Sequence, residues 1–111
     1  MKIKGTLTAL NDILGPIPIY GYINGGVSVQ YETGGSGTVV LEVSLDEPED
    51  SSIQWNPIQM KNPNDIAGAP VNNLAAGGLA VADVVGYRTM RIRKSVAGAG
   101  GAVITMVVGV G

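Results

Sequence analysis

The chain is 111 residues long, the length of one domain, and it carries 17 glycines but no cysteine and no histidine. Without cysteine there are no disulfides, no thiol nucleophile and no cysteine-rich zinc site; without histidine the commonest general base and most zinc or copper sites go as well. A net charge of −2 gives no electrostatic reason to bind nucleic acid or an anionic membrane, and a charged fraction of 14%, against about 25% in ordinary domains, hints at surface covered by a partner.

In chain order, Lys2 to Leu10 alternates Ile3, Gly5, Leu7 and Ala9 with Lys2, Lys4, Thr6 and Thr8, the period of a strand with one polar face. No apolar stretch of signal-peptide type follows Met1-Lys2. Asn11-Asp12 supplies a turn. The segment near 14–23 is extended and proline-rich. Pro16 and Pro18 each lack a ladder donor, so an edge strand or connector is expected, continuing through Tyr20 to Ile23. Asn24-Gly25-Gly26 is a turn signal. Val27, Val29 and Tyr31 then face one side, with Ser28, Gln30 and Glu32 opposite.

Beyond the turn at Thr33 to Gly37 comes the clearest strand, Thr38 to Asp46, with Val39, Leu41, Val43 and Leu45 on one face. Asp46 to Asp50 is an acidic loop. Ser52 to Met60 resumes as a strand that Pro57 interrupts. The stretch near 61–76 is a long loop rich in proline and asparagine with room for a short edge strand, and only Asn72 to Ala82 has marginal helical spacing. After Leu79 to Val85, the residues from Gly86 to Val108 suggest a hairpin. Its outgoing arm alternates, its tip is Ala97 to Gly101, and its return arm is almost wholly apolar, as a central strand would be. The apolar run from Val96 falls short of the about 20 residues a membrane span needs. Glycine pairs recur at these corners because glycine reaches positive φ without a Cβ clash. The expected fold is therefore one all-β domain over 1–111, an antiparallel β-sandwich or jelly roll of about eight strands.

Chemistry-bearing clusters are few. Asp46, Glu47, Glu49 and Asp50 put four carboxylates within five residues, but the spacing matches no calcium loop and the bend glycine is missing. A solvated tip that blocks edge association is the plainer reading. Glu32 and Glu42, placed on neighbouring strands, could form a carboxylate pair of glycosidase type or could pair with Arg91 and Arg93. In the basic run Arg88, Arg91, Arg93 and Lys94, strand alternation sets Arg91 and Arg93 on one face and Arg88, Met90, Ile92 and Lys94 on the other. A split run makes a poor phosphate groove. Lys94 on the apolar face reads as a charge beyond the core's edge. Trp55 reads as core, the alternative being an exposed ring that stacks on a sugar. No catalytic residue, cofactor site or metal site is expected.

Two stretches carry a resemblance. Gly37-Thr38-Val39-Val40-Leu41-Glu42-Val43-Ser44-Leu45-Asp46, followed after an acidic turn by Ile53-Gln54-Trp55, resembles one segment of a β-sandwich module common in tailed-phage virion proteins. Val84-Val85-Gly86-Tyr87-Arg88-Thr89-Met90-Arg91-Ile92-Arg93, with a small-residue turn and a closing apolar strand, is similar to a second segment. The module's usual turn is glycine-rich where this chain has Asp46 to Asp50, and its usual apolar residue is here Lys94. The resemblance implies a structural virion protein with no catalytic residues. For a chain of this length it implies a capsid decoration (cement) protein, made in the host cytoplasm and seated on the capsid surface as a homo-oligomer, typically a trimer, against the major capsid protein. The alternative is a module of a tail fibre or baseplate that binds a host-surface glycan or receptor. The expected contacts are Leu14, Pro16, Ile17, Pro18, Ile19, Asn62, Pro63, Asn64, Arg91 and Arg93.

Overall fold

The computed structural model describes residues 2–19, 26–65, 67–98 and 101–108. The turn expected at Asn24-Gly25, the continuation through Tyr20 to Ile23 and the tip residues Ala99-Gly100 lie outside them. Nine strands and no helix occur among the described residues: β1 (Lys2–Leu7), β2 (Ile13–Pro18), β3 (Gly26–Tyr31), β4 (Thr38–Ser44), β5 (Asn56–Pro57), β6 (Leu74–Ala75), β7 (Leu79–Asp83), β8 (Thr89–Val96) and β9 (Ala102–Val108). Two antiparallel sheets result. One has the order β1-β9-β3-β7; the other has the order β2-β8-β4-β5, with β6 also on β4.

The pairings are nested. β1 pairs β9, β2 pairs β8, β3 pairs β7, and β4 pairs the short β5 and β6. Rolling that nested ribbon brings β3 against β9 and β4 against β8. The result is a jelly roll, the sandwich expected from the sequence. The expected hairpin from Gly86 to Val108 does not form. Its two arms are real, but β8 lies in one sheet and β9 in the other, and each is central in its own sheet. Both edges of each arm are taken by other strands, β2 and β4 on β8 and β1 and β3 on β9, so no edge of either is left for the other.

The inward rows follow the period of two. Val27, Val29 and Tyr31 on β3 meet Val39, Leu41 and Val43 on β4, with Met90 and Ile92 on β8 and Ala102, Ile104 and Met106 on β9. Leu45 breaks the expected row. The strand ends at Ser44 and the chain bends, so Leu45 is 71% exposed. The stretch near 61–76 is no free loop. Met60 exchanges both backbone hydrogen bonds with Val71, and Lys61 does the same with Val81 on β7. The chain thereby crosses from the edge of one sheet to the edge of the other, and the fully buried Met60 closes the core beneath it. The marginal helix at 72–82 is instead β6, a turn and β7.

Of the inter-sheet crossings that meet at one end of the sandwich, two lie side by side, β3 to β4 and β8 to β9. They pack so closely that only glycine fits at two points. Gly37 has φ 82°, and a Cβ there would strike the Val96 carbonyl; a Cβ on Gly98 would strike Ser36. Lys94 belongs to this end. It is not beyond the core's edge but fully buried, and its Nζ donates to the Ser36 carbonyl at 2.7 Å. Tyr31 donates its hydroxyl to the same carbonyl at 2.9 Å. The residue that departs from the apolar pattern thus ties β8 to the neighbouring crossing.

Candidate functional site

The outer face of the β2-β8-β4-β5 sheet gathers the residues with the most chemistry. In the β4–β8 register Glu42 stands opposite Arg91, and Arg93 lies two residues along on the same face. Both guanidinium groups donate through Nε to one oxygen, Glu42 Oε1, Arg91 at 2.8 Å and Arg93 at 3.2 Å. Glu42 is buried and the arginines are half-buried. Two cations share a single carboxylate, so the cluster carries one positive charge in excess. Trp55 sits here as well. It is not core: its ring is half-buried on the outside of the sheet, with Arg91 Cζ stacked 4.3 Å from the ring centroid. β5 begins only at Asn56, so the alternation that placed Trp55 inside does not reach it.

Beside this cluster the sheet edge is notched. β5 covers β4 at Glu42 and Val43, the Ile58 amide that follows donates to the Leu41 carbonyl at 3.0 Å, and β6 covers Thr38 and Val39, so the gap on that side falls at Val40. A cleft of about 430 Å³ lies there, lined by Val40, Arg93 and Ser95 of the central strands, Pro57 and Gln59 on one flank, and Asn72 and Asn73 on the other. Ser95, Asn73 and Arg93 are held in place. Ser95 donates its hydroxyl to Asn73 Oδ1 at 2.8 Å, which makes Thr38 the donor in the 2.7 Å Thr38–Ser95 contact. Arg93 is gripped twice, by Glu42 through Nε and by Asn11 Oδ1 through Nη1 at 2.9 Å.

Other expected site residues are dispersed. Glu32 and Glu42 are not on neighbouring strands. Glu32 follows β3 in the opposite sheet, 3.8 Å from Lys4, so no carboxylate pair exists. The acidic loop turns its carboxylates on its own chain. Asp46 accepts the Gln54 amide at 2.8 Å, Asp50 accepts the Glu47 amide at 3.1 Å, and Glu47 pairs with Arg88 at 2.9 Å. Among the described residues no group of three or more acids is placed to hold a metal ion, and no helix is long and apolar enough to cross a membrane. Of the expected contacts, Pro16, Pro18, Asn62 and Asn64 are exposed, and Leu14 and Pro63 are half-buried. Ile17 and Ile19 are spent in the chain's own core and offer no surface. The proline-rich segment is an edge strand, bulged between Leu14 and Ile17. Sequence reasoning missed Leu45 and Val85, 71% and 66% exposed at the same end of the sandwich as Pro18.

The β1–β2 turn holds Asp12, whose carboxylate accepts the Ala9 amide at 2.8 Å and the Thr8 amide at 2.9 Å. The Ala9 bond first and the Thr8 bond second hold its pKa below the usual carboxylate value, with a smaller pull from Lys94. A folded value below the unfolded one means that the turn's contribution is complete above the unfolded pKa. It is lost as pH falls through the folded one. An NMR titration of the Asp12 carboxyl carbon should give a midpoint below that of an unfolded peptide, and Asp12→Asn should remove this acid-side loss. A midpoint equal to the peptide's would contradict the geometry.

Among solved structures the chain is similar to the SPBc2 prophage-derived protein YomS, with a TM-score of 0.67 over 97% of this chain and 93% of that one, at 14% identity. The likeness is one of fold. No protein-family pattern matches the sequence, and no curated protein matches it.

Proposed function

We infer that this protein is a non-enzymatic structural component of a tailed-phage virion, a decoration protein that seats on the capsid exterior as a small homo-oligomer, a trimer being the expected form. The observation that carries this reading is the jelly roll shared over nearly the whole chain with a prophage-derived protein. The sequence resemblance to phage virion modules points the same way. The grip would come from surface left uncharged: Pro16 and Pro18 on the β2 edge, with Leu45 and Val85 at the sandwich end beyond it. Stable interfaces of standard size bury about 1,600 Å² in total. The purified protein is expected to scatter light as an oligomer and to co-sediment with mature or expanded capsids of its phage. A monomer that stays in the supernatant would overturn the reading.

A second reading, a glycan- or receptor-binding module of a tail fibre or baseplate, is favoured by one observation. Trp55 lies on the outer face, next to the Arg91–Glu42–Arg93 cluster. On that reading the same fold would serve as a platform and the outer face as the recognition surface.

A further inference from the structure

We propose that the notch between β5 and β6 is a binding site for an anionic saccharide, a sugar ring bearing a carboxylate. Three features of the notch converge on this chemistry. The first is charge. Two arginines share one carboxylate, so an anion entering beside Arg93 meets uncompensated positive charge, and Arg93 Nη2 takes part in none of the bonds that hold the guanidinium. The second is a pair of neutral amides, one of them held in place. With Asn73 Oδ1 occupied by Ser95, the Asn73 Nδ2 hydrogens are left for a ligand, and Gln59 offers a second amide from the opposite flank. Sugar hydroxyls, both donors and acceptors, suit amides that do both. The third is an apolar patch: Val40 and Pro57 give the C–H face of a ring something to lie on.

Pre-organisation separates this notch from an ordinary polar crease. The Thr38–Ser95–Asn73 chain and the double grip on Arg93 fix the donors before a ligand arrives, which lowers the ordering cost of binding. An acidic peptide would satisfy the charge and could bond the amides through its backbone, but hexaglutamate has no ring face to lie on Val40 and Pro57.

The test is a titration of the ¹⁵N-labelled protein with glucuronic acid, N-acetylneuraminic acid, galactose as the neutral control and a hexaglutamate peptide as the charge control. At least one acidic sugar should shift the Asn72, Asn73, Ser95 and Arg93 signals, with millimolar affinity about tenfold tighter than galactose. Asn73→Ala, a change at an exposed side chain, should weaken that binding about tenfold while leaving the rest of the spectrum in place. Raised salt should weaken it further. The proposal is overturned by no shift with either acidic sugar, by shifts centred elsewhere, by binding indifferent to Asn73→Ala, or by a hexaglutamate that binds as tightly. None of these results bears on oligomerisation or capsid binding.

Discussion

Lys94→Ala should destabilise the domain by about 2–4 kcal/mol, while Lys94→Met should cost less than about 1.5 kcal/mol. The contrast comes from what Lys94 does. It is fully buried, its Nζ donates to Ser36 O at 2.7 Å, and it sits 5.7 Å from the centroid of the Tyr31 ring. Among the described residues no carboxylate forms a salt bridge with it. A buried cation without a carboxylate contributes little net charge energy after desolvation, so most of its value lies in filling space between the crossings. Methionine fills that space. It also leaves the Ser36 carbonyl satisfied, because Tyr31 OH still donates to it at 2.9 Å. Alanine opens a cavity beneath two crossings whose glycine contacts leave the backbone no room to collapse. Urea denaturation checks both values. Equal losses for the two variants would mean that the ammonium group, not the volume, holds this end together.

Glu42→Gln should cost about 2–3 kcal/mol, somewhat less than the ~3–5 kcal/mol of breaking a fully buried pair, because Arg91 and Arg93 keep partial contact with water. The substitution keeps the shape and removes the only negative charge between two guanidinium groups. They stand on the same face of one strand and would then repel each other. The double variant Glu42→Gln with Arg93→Gln should recover at least about 1 kcal/mol relative to the sum of the single changes. Additive losses would show that the cluster is incidental to stability.

Much of the fold was legible because most strands here obey the period of two. Val39, Leu41 and Val43 point inward as their spacing requires, and so do Met90 and Ile92. Alternation also placed Arg91 and Arg93 outside and Lys94 inside, but not Arg88, which was expected on the inner face and is exposed because β8 begins only at Thr89. What alternation cannot convey is which strands pair. Both arms of the Gly86 to Val108 segment read correctly, yet the small residues between them serve an inter-sheet crossing and not a hairpin tip. A glycine-rich link is compatible with either, and only long-range pairing decides. The same limit hid the site. Glu42, Arg93, Gln59 and Asn73 are far apart in the chain and meet because the partner of β4 is broken into β5 and β6. Trp55 was misplaced because its strand starts one residue later, at Asn56; Leu45 was misplaced because its strand stops one residue earlier.

The most direct test of the structural-protein reading is cryo-electron microscopy of the virion of the phage that encodes this chain. Symmetric copies of a jelly roll, about 35 × 34 × 22 Å each, are expected on the outside of the capsid shell. A virion complete without such density at head or tail would contradict it.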